Sequence, residues 1–109
     1  MSLDSSLDVT TDRDVQFTFT VTNSGADPVD LSFSDALEAD FAVLDDGSER
    51  WRFSEGRMFA QMLGSETLDP GGAATYEATW DDPDSGSYTA VATLEANETE
   101  CDARAEFSV

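Results

Sequence analysis

From Asp14 to Thr22 apolar and polar residues take strict turns. Val15, Phe17, Phe19 and Val21 alternate with Gln16, Thr18, Thr20 and Thr22. A period of two over this length, rich in β-branched and aromatic side chains, predicts a strand buried on one face. Asn23-Ser24-Gly25-Ala26-Asp27-Pro28 supplies the turn chemistry that ends it. Val29, Leu31 and Phe33 then alternate with Asp30 and Ser32. Phe41 and Val43 mark a further strand, Asp45-Asp46-Gly47-Ser48 a hairpin turn, and Arg50 to Phe53 the returning strand. Glu66-Thr67-Leu68 leads into an Asp69-Pro70-Gly71-Gly72 turn, and Ala74, Tyr76, Ala78 and Trp80 alternate after it. Beyond the turn at Asp81 to Gly86, Tyr88, Ala90, Ala92 and Leu94 share one face. Cys101, Ala103, Ala105, Phe107 and Val109 share another.

With a weaker N-terminal strand at Leu3, Leu7 and Val9, the pattern gives seven or eight short strands separated by turns. It predicts an all-β, immunoglobulin-like antiparallel two-sheet sandwich. Residues 55–63 are the best candidate for a short helical piece. No internal repeat or linker interrupts the chain, and 109 residues suit a single domain spanning 1–109.

Composition narrows the chemistry. The chain has 24 acids, five Arg, no Lys and no His, for a net charge of −19. Without His there is no Ser-His-Asp or Cys-His catalysis and no ordinary catalytic zinc site. The charge opposes binding to nucleic acid or to an anionic membrane surface. Fifteen Asp and nine Glu beside zero Lys suggest a protein of the salt-loving archaeal type, in which molar salt screens self-repulsion. High charge also suits disorder, but two Trp, two Tyr and seven Phe in strand-like register oppose it. The single Cys101 excludes an internal disulfide. The start, Met1 to Asp8, lacks the basic and apolar regions of a signal peptide, and no apolar run reaches membrane-spanning length. A cytoplasmic location follows as the expectation. Asn97-Glu98-Thr99 fits a glycosylation acceptor, without an export signal to bring it into use.

Most conspicuous residues have a plain structural reading. Trp51 and Trp80 suit a sandwich core, and Leu68-Asp69-Pro70-Gly71 suits turn geometry. Asp82, Asp84 and Gly86 faintly echo a calcium loop but lack its distal bidentate Glu, so no metal or cofactor is expected. Cys101 reads as a core thiol. Arg50, Arg52 and Arg57 concentrate three of the five cations within eight positions. They either pair with neighbouring carboxylates or belong to a protruding recognition loop around Arg57, Met58 and Phe59.

In the same region Trp51-Arg52-Phe53-Ser54-Glu55-Gly56-Arg57-Met58-Phe59-Ala60-Gln61 resembles the signature of the BsuPI family of intracellular proteinase inhibitors. That signature runs Trp-Arg, an aromatic, Ser, Gly-Arg, a residue, Phe, a residue, Gln. Similar segments flank it in order: Asn23-Ser24, Val29 to Phe33, Asp40-Phe41, Leu68 to Gly71, Tyr76 to Trp80 and Gly86 to Thr89. The likeness runs from residue 15 to residue 94. Asp35-Ala36-Leu37-Glu38-Ala39 departs from it, where many relatives have Ser/Thr-Gly-Gln before the Asp-Phe pair. The resemblance implies a non-catalytic domain that inhibits an intracellular, subtilisin-like serine protease by occlusion. Arg57, Met58, Phe59 and Gln61 are then candidate partner contacts. Trp51, Arg52, Ser54, Gly56, Leu68, Pro70, Gly71 and Trp80 would keep the fold. A scaffolding domain that pairs through an edge strand is the alternative.

Overall fold

The computed structural model describes residues 3–55, 61, 63–97 and 99–109. Among these, nine strands form and no helix does: β1 (Leu3–Thr11), β2 (Val15–Asn23), β3 (Val29–Phe33), β4 (Ala39–Asp45), β5 (Ser48–Arg52), β6 (Gly64–Leu68), β7 (Ala73–Trp80), β8 (Ser87–Leu94) and β9 (Asp102–Ser108). That is one strand more than the upper expectation. The short helix expected within 55–63 falls mostly outside the described residues.

Every pairing is antiparallel. One sheet has the order β1-β2-β7, a second β5-β4-β8-β9, and β3 and β6 form a two-stranded ribbon. The expected pair of sheets is therefore joined by a ribbon that hydrogen-bonds as a strand to neither. Its Val29, Leu31, Phe33 and Leu68 nevertheless enter the same core as Val15, Phe17, Phe19 and Val21. The alternation of β2 holds throughout, with every odd residue from Val15 to Asn23 buried. At the edges of the two larger sheets, the Ser5 hydroxyl of β1 donates to the Asp102 carbonyl of β9 at 2.6 Å.

Turns form where local chemistry dictates them. Asp46 and Gly47 link β4 to β5 with φ of +49° and +84°, the left-handed pair of a tight hairpin. Gly71 has φ of +82° and the Gly72 N–H donates to the Asp69 carbonyl at 2.7 Å, so Pro70-Gly71 occupies the corners of a type II turn. Strand β4 departs from simple alternation. Its residues Ala39 to Val43 are all buried, because its outer face is covered too.

Candidate functional site

On the outer face of β4, Asp40 is covered by Arg52 at the end of β5 and by Ser54 just beyond it. The Asp40 side chain is only 6% exposed and accepts four hydrogen bonds. Its Oδ1 receives the backbone N–H of Phe41 at 2.9 Å and of Ser54 at 3.1 Å. Its Oδ2 receives the Ser54 hydroxyl at 2.6 Å and Arg52 Nη1 at 2.9 Å. Burial by itself raises the Asp40 carboxyl. The donors from Ser54, Arg52 and Phe41 outweigh it and hold the group below its ordinary value. Arg52 also reaches Glu49 through Nη2 at 2.7 Å. Glu95, near Asp40 and Arg52, is shifted up by burial first and by the Asp40 charge second.

Arg50 is occupied as well. Its Nη2 lies 2.9 Å from Asp84 Oδ2, and its Nη1 lies 3.7 Å from Asp45 Oδ2. Arg50 and Arg52 thus follow the carboxylate-pairing reading, and Asp84, one of the calcium-like residues, serves an ion pair. Among the described residues no group of three or more His, Cys, Asp or Glu is placed to hold a metal ion. No helix of the described residues is long and apolar enough to cross a membrane.

The remaining candidates separate into fold-keeping and exposed groups. Trp80 is buried, and Trp51 is half-buried and stacked on Phe17 and Trp80 at 5.8 and 6.2 Å between ring centroids. Leu68 is buried, while Pro70 and Gly71 sit on the exposed turn after it. Cys101 is half-buried against the core, and burial first raises its thiol above the ordinary value. Gln61 is exposed. Gly56, Arg57, Met58 and Phe59 lie outside the described residues.

A comparison with family models now gives these positions a common context. A model described as BsuPI, intracellular proteinase inhibitor, matches residues 2–99. The chain belongs to the BsuPI family. Its fold is also similar to the crystal structure of a CARDB domain from Pyrococcus furiosus, a protein solved in complex with di-metal ions. The TM-score is 0.51 at 16% identity, covering 99% of this chain and 92% of that one. Comparison with curated proteins finds no match.

Within the BsuPI signature, each described residue from Trp51 to Ser54 has a structural engagement. Trp51 and Phe53 pack on the core, and Arg52 and Ser54 hold Asp40. Ahead of β4 the Asp35 side chain accepts the Leu37 N–H at 3.0 Å, so an aspartate stabilises the bend there. Sequence reasoning left three residues out of the candidate site. Asp40 could have been found as an acid within an apolar strand that has Arg and Ser on its hairpin partner. Leu63 is 88% exposed, and nothing in its local sequence separates it from a core leucine. The Tyr76 hydroxyl is buried without a hydrogen-bond partner among the described residues, and burial first, then Glu66 and Glu38, oppose its ionisation.

Proposed function

We propose that the chain is an intracellular inhibitor of a subtilisin-like serine protease, acting by occlusion as one domain spanning residues 1–109. Membership of the BsuPI family across residues 2–99 is the observation that carries this reading. The inhibitor performs no chemistry. It covers the protease cleft with a surface held by a rigid sandwich, and complexes of this kind bury about 800 Å² on each partner. Arg57, Met58, Phe59 and Gln61 are the proposed contacts. Met58 offers an unbranched apolar side chain to a hydrophobic pocket, and Arg57 faces an acidic partner from the same compartment.

The placement of the neighbouring residues supports this division of labour. Trp51 to Ser54 are engaged by the fold, whereas Gln61 and Leu63 beyond them are exposed. An 88% exposed leucine contributes little to folding, so Leu63 extends the proposed apolar contact. Working in the cytoplasm of a salt-rich cell accounts for a net charge of −19.

The test is inhibition of a subtilisin-like serine protease in molar salt by the parent and by Arg57→Glu, Met58→Asp, Phe59→Ala and Leu63→Asp. Melting temperatures are followed in parallel, so that unfolding is not read as lost recognition. Arg57→Glu, Met58→Asp and Leu63→Asp should remain folded and inhibit at least about tenfold more weakly. Equal inhibition by those folded variants would place the contact surface elsewhere. No inhibition by the parent would remove the inhibitor reading.

A further inference from the structure

Strand β7 lies at the edge of its sheet, paired with β2 on one side only. The Asn23 N–H donates to the Gly72 carbonyl and so sets the phase of the ladder that follows. Alternation along an antiparallel pair then turns the backbone groups of Ala74, Tyr76, Ala78 and Trp80 towards β2. Those of Ala73, Thr75, Glu77 and Thr79 point away, and among the described residues they meet no hydrogen-bond partner. The other edges of the two larger sheets carry more charge, which discourages a further strand from pairing. Asp4 and Asp8 lie on β1, Glu49, Arg50 and Arg52 on β5, and Asp102, Arg104 and Glu106 on β9. Over its eight residues β7 has Glu77 as its one charge and no proline.

Beside this edge the sandwich opens. A cleft of about 310 Å³ is walled by Leu37, Phe41, Phe53 and Tyr76, with the exposed Glu38 and Glu77 also lining it. We propose that β7 is a docking edge that takes an extended, basic and apolar segment of a partner protein as an added strand. The backbone of Thr75 and Glu77 supplies its hydrogen bonds, and the cleft supplies its selectivity. Side chains of a strand alternate between faces, so the partner residue opposite Tyr76 enters the cleft and its neighbours face outwards beside Glu77. An apolar side chain suits the first position and a lysine or arginine the second. Charge decides between occupants. A second copy would bring its own Glu77 to this edge and its own net charge of −19, whereas a basic segment meets Glu38 and Glu77 as opposite charges. The proposal stands apart from the protease contacts at residues 57–61.

The probe is the synthetic peptide acetyl-Thr-Lys-Phe-Lys-Val-Thr-amide, whose Phe can lie opposite Tyr76 with a Lys on either side. Its twin, methylated on both Lys backbone nitrogens, keeps every side chain and charge but cannot donate to the Thr75 and Glu77 carbonyls. Both are titrated into the full chain in molar KCl, with hydrogen exchange read at single amides. The unmethylated peptide should bind saturably with a dissociation constant below about 1 mM. At ten times that constant, exchange at the Thr75 and Glu77 amides should slow about tenfold, while Tyr76, already bonded to β2, changes little. The methylated twin should bind at least about tenfold more weakly. Thr75→Pro, which removes an outward N–H and leaves the ladder to β2 intact, should weaken the unmethylated peptide to a similar extent.

Absence of saturable binding below about 1 mM overturns the inference. So does equal binding of the two peptides, which would reduce the effect to attraction between charges, and so does protection of β5 or β9 amides in place of Thr75 and Glu77. A chain that is dimeric before peptide is added, with Thr75 and Glu77 already slow to exchange, would assign the edge to a second copy and overturn the partner reading. Should Thr75→Pro not fold, the comparison of the two peptides on the parent chain decides. None of these outcomes bears on protease inhibition, which is measured separately.

Discussion

The side-chain amide of Asn23 donates to the carbonyl of Leu68 at 2.8 Å, joining the end of β2 to the end of β6 across 45 residues. The same Nδ2 donates to the Asp27 carbonyl at 2.7 Å, and Oδ1 accepts the Gly25 N–H at 2.9 Å. The Asn23 backbone continues the junction, its N–H donating to the Gly72 carbonyl and its carbonyl accepting the Gly71 N–H. This one fully buried residue ties the turn after β2 to the Pro70-Gly71 turn. The segments Asn23-Ser24 and Leu68 to Gly71 are therefore two sides of one structural joint.

Asn23→Ala should consequently destabilise the fold by about 3 kcal/mol, since it strips donors and an acceptor from buried backbone groups. Asn23→Asp keeps the acceptor for Gly25 but loses both donors and sets a charge against two carbonyl oxygens. It should cost at least as much. Urea unfolding in molar salt measures both, and a loss below about 1 kcal/mol in either would mean the joint is held by backbone alone.

Trp80 provides a check on the sandwich interior. It is 7% exposed, stands edge-to-face to Tyr88 at 5.2 Å between centroids and stacks on Trp51. Trp80→Ala should cost about 3–5 kcal/mol through lost burial and the cavity left behind. Loss of tryptophan fluorescence change on unfolding is a confounding signal, so circular dichroism should follow the urea titration. A cost under about 1 kcal/mol would mean that the two tryptophans and Tyr88 do not pack as observed.

Acid stability should carry the signature of Asp40. Its folded-state value lies below the ordinary 3.8, so it adds stability above 3.8 that is lost as pH falls through the lower folded value. Glu95 acts in the opposite sense. Raised first by burial, it takes up its proton more readily in the folded chain, which favours folding as pH falls. In molar salt the parent should lose stability below about pH 4, and Asp40→Asn should show a shallower decline over the same range. Parallel curves for the two chains would assign the acid transition to other groups.

Salt itself should act on the whole surface. With a net charge of −19, repulsion among carboxylates opposes the compact state in dilute buffer. At molar KCl the screening length falls to about 3 Å, so the melting temperature should rise markedly between the two conditions. Equal melting temperatures across that range would mean that local pairs such as Arg50 with Asp84 already balance the charge.

What the sequence determined alone is whatever depends on neighbours a few positions apart. The alternation from Val15 to Val21 set which side chains of β2 face inward, because successive residues of a strand point to opposite faces. Asp46-Gly47 and Pro70-Gly71 set their turns, because left-handed backbone and a fixed proline φ are local demands. The signature around Trp51 also carried the family. Tertiary structure alone decided which polar groups are buried and by what. Asp40 lies on a strand position that alternation would leave in solvent, and it is buried only because Arg52 and Ser54, 12 and 14 residues on, fold over it. Asn23 is buried only because the turn after β6 arrives beside it. The physical reason is that a hydrogen bond between segments requires both to be placed first: the register of the β4-β5 hairpin brings Arg52 and Ser54 to Asp40, and the packing of the β3-β6 ribbon brings the turn after β6 to Asn23.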